Sequence, residues 1–219
     1  MNVLKTVVLS LALAGTMPAV AEAQAAATAP ARPVEVPYTQ FTLPNGLHVI
    51  LSVDRTAPIV GVDVLYDVGS KDERPGRAGF AHLFEHLMFQ GTEHLPKGEA
   101  DRLVEAAGGT SNGATSQDRT EHWEQVPSNA LEQMLFVQSE RMGHLLPTLD
   151  QAKLDNQREV VRNERRQTYE MQPYGMAWKV LSENLWDAGF PYHWQPIGSH
   201  EDLAAATLED VREFFRRWY

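Results

Sequence analysis

The chain has 219 residues, 22% of them charged and 43% hydrophobic, which excludes collagen-like, mucin-like and broadly disordered classes. The formal charge is −10 at pH 7, without the basic footprint of a nucleic-acid partner. Cysteine is absent, which excludes disulfides, thiolate metal sites, cysteine nucleophiles and a lipidated Cys; any metal must be held by His, Asp or Glu.

Lys5 precedes an apolar run from Val7 to Gly15, and Ala21-Glu22-Ala23 has the A-x-A form of a cleavage site. This is the pattern of a secretory signal peptide over residues 1–23. The run is shorter than the ~20 residues a spanning helix needs, and no later segment is long enough. The expectation is an exported chain, in the bacterial periplasm, with no transmembrane span. An Ala/Pro-rich leader, residues 24–37, follows, then one folded domain over 38–219.

Phe41 to Leu47 carries the turn signal Pro44-Asn45-Gly46, and Leu47–Val53 and Ile59–Tyr66 read as strands. Gly69–Gly76 reads as a loop. Ala78–Phe89 places Phe80, Leu83, Phe84, Leu87 and Met88 at helical spacing. Lys97–Ala107 predicts a helix stopped by Gly108-Gly109, and Thr110–Val126 a strand pair. Ser128 is a candidate N-cap for a helix from Asn129 to Leu146. Asp150 is another, for a helix reaching Glu170. Thr207 with Asp210 resembles a capping box opening a last helix. Together these predict an α+β fold, a mainly antiparallel sheet packed against helices on one face.

The chemistry gathers in His82-Leu83-Phe84-Glu85-His86. Two histidines four apart stack on one helical face, close enough to share one ion, and neutral imidazoles suit Zn²⁺. Glu85, on the adjoining face, can take a proton from a zinc-activated water without being a ligand. The same spacing also occurs as two surface histidines on an amphipathic helix. A third ligand must come from elsewhere. Leu154, Gln157, Val161 and Glu164 form one stripe of the later helix, apolar at Leu154 and Val161, so Glu164 is carried inward. An inward carboxylate needs a partner, either a metal or one of Arg158, Arg162, Arg165 and Arg166. His94, His122, His144, His193 and His200 lack ligand spacing and read as surface or core polar residues. The stretch Trp186–Trp194 reads as core or helix–loop packing, and Arg158–Arg166 as a solvated face balanced by acidic residues.

The pattern H-x-x-E-H with a downstream Glu resembles the inverted-zincin peptidases of the pitrilysin, insulysin and mitochondrial processing peptidase family. The opening Phe41–Leu47, Val68-Gly69-Ser70, Gly79–Thr92, Gly109–Thr120, Asn156–Arg166, Ile197-Gly198-Ser199 and Glu201-Asp202-Leu203 resemble further family segments. The likeness covers about residues 38–219. It implies a LuxS/MPP-like metallopeptidase domain with one Zn²⁺ held by His82, His86 and Glu164, and Glu85 as general base. It implies that Asn112, Gly113, Ala114 and Thr115 take the substrate backbone as an added strand.

The chain departs from the family at Gln157, where many members carry a second Glu, and at Glu121-His122-Trp123. It ends at Trp218-Tyr219, where the family continues with a turn, another strand and a second domain that supplies an Arg and a Tyr to the substrate. The resemblance therefore implies the N-terminal catalytic part of an exported zinc metalloendopeptidase, with its last strand and second domain missing. Its substrate would be an oligopeptide or unfolded protein, enclosed with a second homologous domain or subunit. The alternative is a non-catalytic zinc- and peptide-binding subunit that needs a partner half.

Overall fold

The computed structural model describes residues 35–219; the expected signal peptide and the leader up to residue 34 lie outside them. The chain divides into two units at Asp54/Arg55. In the first, strands β1 (Thr39–Thr42) and β2 (His48–Leu51) form an antiparallel hairpin, Thr39 opposite Leu51 and Thr42 opposite His48. Asn45 Oδ1 accepts from Leu47 N–H at 3.2 Å in the expected turn.

The second unit contains a three-stranded antiparallel sheet in the order β3-β5-β4, from β3 (Ile59–Tyr66), β4 (Thr110–Thr115) and β5 (Thr120–Pro127). Tyr66 pairs with Thr120 and Ile59 with Pro127 along β3 and β5. β4 pairs with β5 on one side only, so it forms a sheet edge among the described residues. In the central strand β5, Thr120, His122, Glu124 and Val126 are buried, alternating with residues more open to solvent. Three of these four inward residues are polar, and each finds a partner. Thr120 Oγ1 donates to the Val68 carbonyl at 2.9 Å. Glu124 accepts from Arg141 Nη1 at 2.5 Å and from Gln138 Nε2 at 2.8 Å. His122 lies 3.4 Å from the Glu85 carbonyl. These partners offset most of the cost of a sheet face this polar, although His122 Nδ1 is buried without one.

The helices are α1 (Phe80–Leu87), α2 (Glu99–Ala106), α3 (Leu131–His144), α4 (Gln151–Arg165), α5 (Ala177–Leu185), α6 (His200–Ala205) and α7 (Leu208–Trp218). The main core joins Phe80, Leu83, Phe84 and Leu87 of α1 to Leu154 and Val161 of α4, Leu203 of α6, and Val211 and Phe215 of α7. Tyr66 and Val68 add the β3 side. A smaller cluster packs Val104 of α2 and Met134 and Val137 of α3 against Val126 of β5. The mixed helix and antiparallel-sheet architecture agrees with the expected α+β class.

Four local expectations change. Ser128 opens a 3₁₀ turn, Ser128–Ala130, and α3 starts at Leu131 without a side-chain cap. The helix capped by Asp150, whose Oδ1 accepts from Lys153 N–H at 2.8 Å, is α-helical only to Arg165 and continues as a π-helical turn, Arg166–Glu170. Of the two readings of the aromatic stretch, core does not hold and helix–loop packing does, with Trp194 Nε1 donating to the Ser70 carbonyl at 2.9 Å. Trp186 and Phe190 stack at 4.7 Å with both side chains exposed. Arg165 of the basic stretch is buried. The Thr207–Asp210 capping box is present as expected.

Candidate active site

Helix α1 carries His82, Glu85 and His86, and its N-terminus is held unusually firmly. Gly79, its N-cap, has φ +97°, a conformation that favours glycine. The buried Glu73 carboxyl group accepts from Gly79 N–H at 3.0 Å and from Ala81 N–H at 2.9 Å. Asp202 of α6 accepts from Ala78 N–H at 2.9 Å. Two side-chain carboxyl groups thus meet N–H donors at the start of the helix that have no intrahelical partner. Gly198 touches the same turn: a Cβ there would lie 2.3 Å from the Ala78 carbonyl oxygen and 2.5 Å from Gly79 Cα.

The same region grips α4. Arg165 Nη1 donates to the Gly198 carbonyl. Arg158 donates to the Leu203 carbonyl at 2.8 Å and to the Ala206 carbonyl at 2.6 Å. The loop before α6 and α6 itself therefore set α1 and α4 against each other. The juxtaposition brings Glu164 to the histidines. Glu164 Oε2 lies 3.7 Å from His82 Nε2 and 3.3 Å from His86 Nε2. The two rings meet edge to face, with centroids 4.7 Å apart.

These three residues fit a zinc ion. Tetrahedral bonds of about 2.0–2.1 Å put neighbouring donor atoms about 3.4 Å apart; the observed separations straddle that value. One donor atom from each residue lies within 4.8 Å of the others. Burial, reinforced by His86, holds His82 down at about 4, so its ring stays neutral at pH 7 and keeps a lone pair for a metal. The hydrogen bond with His86 holds the Glu164 carboxyl below its usual range, so it stays ionised. The basic neighbours are engaged elsewhere: Arg158 with Asp155, Arg162 with Glu159 and Arg165 with Glu170.

Glu85 lies beside this trio. Its Oε2 accepts from the Thr115 hydroxyl at 2.5 Å. Burial raises its pKa, while the Thr115 bond and nearby His86 oppose that shift. Gly113 faces it closely, since a Cβ there would lie 2.9 Å from Glu85 Cγ. Buried His122 packs beneath, and burial with the Arg141 charge holds it at about 3, hence neutral. Asn112 and Ala114 are exposed on the free edge of β4, and Asn112 Oδ1 accepts from Gly113 N–H at 2.9 Å. Sequence reasoning did not find the Thr115–Glu85 bond, the Glu73 cap or the Gly79–Gly198 contact. Each joins residues distant in the chain, apart from Glu73, whose loop gave no sign of turning back on α1.

Residues 48–192 match the family model described as Insulinase (Peptidase family M16). The zinc protease PqqE of Helicobacter pylori is 37% identical over 183 residues, 83% of this chain and 40% of that protein. A crystal structure of a protease from Helicobacter pylori superposes with a TM-score of 0.78 at 36% identity, over 82% of this chain and 43% of that one. The first half of the periplasmic protease PqqL from Escherichia coli superposes at 0.74 with 25% identity, over 83% of this chain and 40% of that one. The chain thus spans about 40% of the length of the curated relative PqqE. From its matching sequence and its superposable fold, the chain belongs to the M16, or insulinase, family of peptidases, whose relatives here are named zinc proteases.

Proposed function

We propose that this chain carries the catalytic half of an exported zinc metalloendopeptidase that cuts oligopeptides or unfolded proteins. The carrying observation is the convergence of His82 and His86 with Glu164 from a separate helix, with Glu85 alongside at a separate hydrogen-bonded position. His82, His86 and Glu164 would hold one zinc ion, which when bound supplies a Lewis acid that polarises a carbonyl and acidifies water. Glu85 accepts the proton of the attacking water and passes it to the leaving amine. Thr115 holds the Glu85 carboxylate in line for both transfers. Asn112 to Thr115, on the β4 edge that pairs with no further strand among the described residues, would take the substrate backbone as an added strand next to Glu85.

Export to the periplasm rests on the N-terminal sequence pattern and on a relative described as periplasmic. No helix among the described residues is long and apolar enough to cross a membrane. A second homologous domain or subunit would close over the β4 edge and exclude folded substrates. The test is hydrolysis of a quenched fluorescent peptide by the chain, with zinc, with a chelator, and as Glu85→Gln. Hydrolysis lost to the chelator, restored by zinc and absent from the variant is expected. Turnover by Glu85→Gln at the wild-type rate would overturn the mechanism.

A further inference from the structure

A second group of potential ligands lies at the other end of the α1–α2 connection. Glu93 and His94 sit in the loop after α1, and His144 is the last residue of α3. The fold brings them together across fifty residues: one donor atom from each lies within 4.8 Å of the others, the same limit that the His82, His86 and Glu164 set meets. His144 Nδ1 is 3.1 Å from Glu93 Oε2. The His94 and His144 rings meet edge to face at 4.8 Å, close to the 4.7 Å of His82 and His86.

Behind the two rings is Glu140, a carboxylate only 2% exposed. Its Oε1 lies 2.9 Å from His94 Nδ1 and 3.9 Å from His144 Nε2. Metal-ligating histidines commonly give their other ring nitrogen to a carboxylate, which fixes tautomer and ring orientation. Held in that way, His94 keeps Nε2 for an ion, while His144 lies beyond hydrogen-bond reach of Glu140 and turns Nδ1 to Glu93. The Glu140 position is itself braced, since Oε2 accepts from the Thr92 hydroxyl at 2.6 Å and from His94 N–H at 3.2 Å.

Two further observations favour a cation here. The site is at the C-terminus of the 14-residue helix α3, where the carbonyl ends carry partial negative charge. The ligand backbones are also fixed without an ion: Glu93 N–H donates to the His144 carbonyl at 3.0 Å, and Thr148 Oγ1 to the Gly91 carbonyl at 3.1 Å. The site is therefore organised in advance and open to solvent on the Glu93 and His94 side.

We infer that Glu93, His94 and His144 form a second divalent-metal site, with His94 oriented by Glu140, that staples the loop following α1 to the end of α3. Two imidazoles and a carboxylate select a borderline ion such as Zn²⁺, Ni²⁺ or Cu²⁺ over Mg²⁺ or Ca²⁺. The partially exposed position suits a structural or regulatory ion, since the adjoining carboxylate, Glu140, is engaged by Thr92 and His94 and is not free to act as a base.

The test is zinc binding to the full chain by calorimetry and by metal analysis after gel filtration. Wild type is expected to take up about two ions, and each of the double variants His82→Ala/His86→Ala and His94→Ala/His144→Ala about one. Glu93→Gln removes an exposed ligand at little risk to folding. It is expected to weaken the second step roughly tenfold or more and leave the first unchanged. Circular dichroism establishes that each variant is folded. An unchanged stoichiometry and affinity in His94→Ala/His144→Ala and in Glu93→Gln would overturn the inference. So would loss of all zinc binding in His82→Ala/His86→Ala.

Discussion

At the scale of single residues, the site depends on separating ligands from base. His82 and His86 share a helical face with Glu164 opposite, while Glu85 is turned to β4 and held by Thr115. Glu85→Gln should therefore lower peptide hydrolysis by roughly 10²–10⁴-fold while zinc binding persists. Steady-state kinetics and metal analysis on the same sample measure both. Thr115→Val removes the hydroxyl and keeps the shape. It should lower kcat about tenfold with KM nearly constant, because the loss is in aiming the base and not in holding substrate. A change in KM alone would instead assign Thr115 to substrate binding.

At the scale of elements, the α1 N-terminus is the joint that makes the site. Gly198 leaves no room for a side chain against Ala78 and Gly79, and its own φ is +72°. Gly198→Ala should cost about 1–3 kcal/mol in a denaturant titration through overpacking and backbone strain, and weaken zinc binding as α1 and α4 shift apart. Glu73 adds a pH dependence. Burial raises its carboxyl to about 8 from an ordinary 4.5, against the pull of the Ala81 and Gly79 N–H donors and their neighbours. The unfolded chain loses this proton near pH 4.5 and the folded chain only near pH 8. The unfolded state therefore binds fewer protons across that window, and stability from this group falls as pH rises through it. In chelator, the Tm of the wild type should fall relative to that of Glu73→Gln between pH 5 and 8. Parallel Tm profiles would show that Glu73 is already ionised in the fold.

At the scale of the whole molecule, legibility in the sequence followed locality. His82, Glu85 and His86 lie within one turn and a half of one helix, so their spacing offers a candidate metal site from sequence, with a pair of surface histidines as the competing reading. The strand Ile59–Tyr66 alternates exposed with half-buried residues up to buried Tyr66, and its bounds are readable in the sequence. Glu164 was reachable because an apolar stripe carried it inward, although only the fold chose histidines over the neighbouring arginines as its partners. His94 and His144 read as unrelated polar residues because nothing short of the α3 placement brings them together. Ser128 read as a helix cap because serine accepts first-turn N–H groups, yet the chain here closes a 3₁₀ turn first. The π-helical turn after Arg165 escaped notice because helical periodicity does not distinguish it from the α-helix it extends.

The most direct measurement is a crystal structure of the zinc-soaked chain with anomalous data at the zinc edge. A peak bonded to His82, His86 and Glu164 at about 2.0–2.2 Å, with Glu85 outside the coordination sphere, is the expected result. A zinc-soaked crystal with no peak there, or with Glu85 in place of Glu164 as ligand, would contradict it.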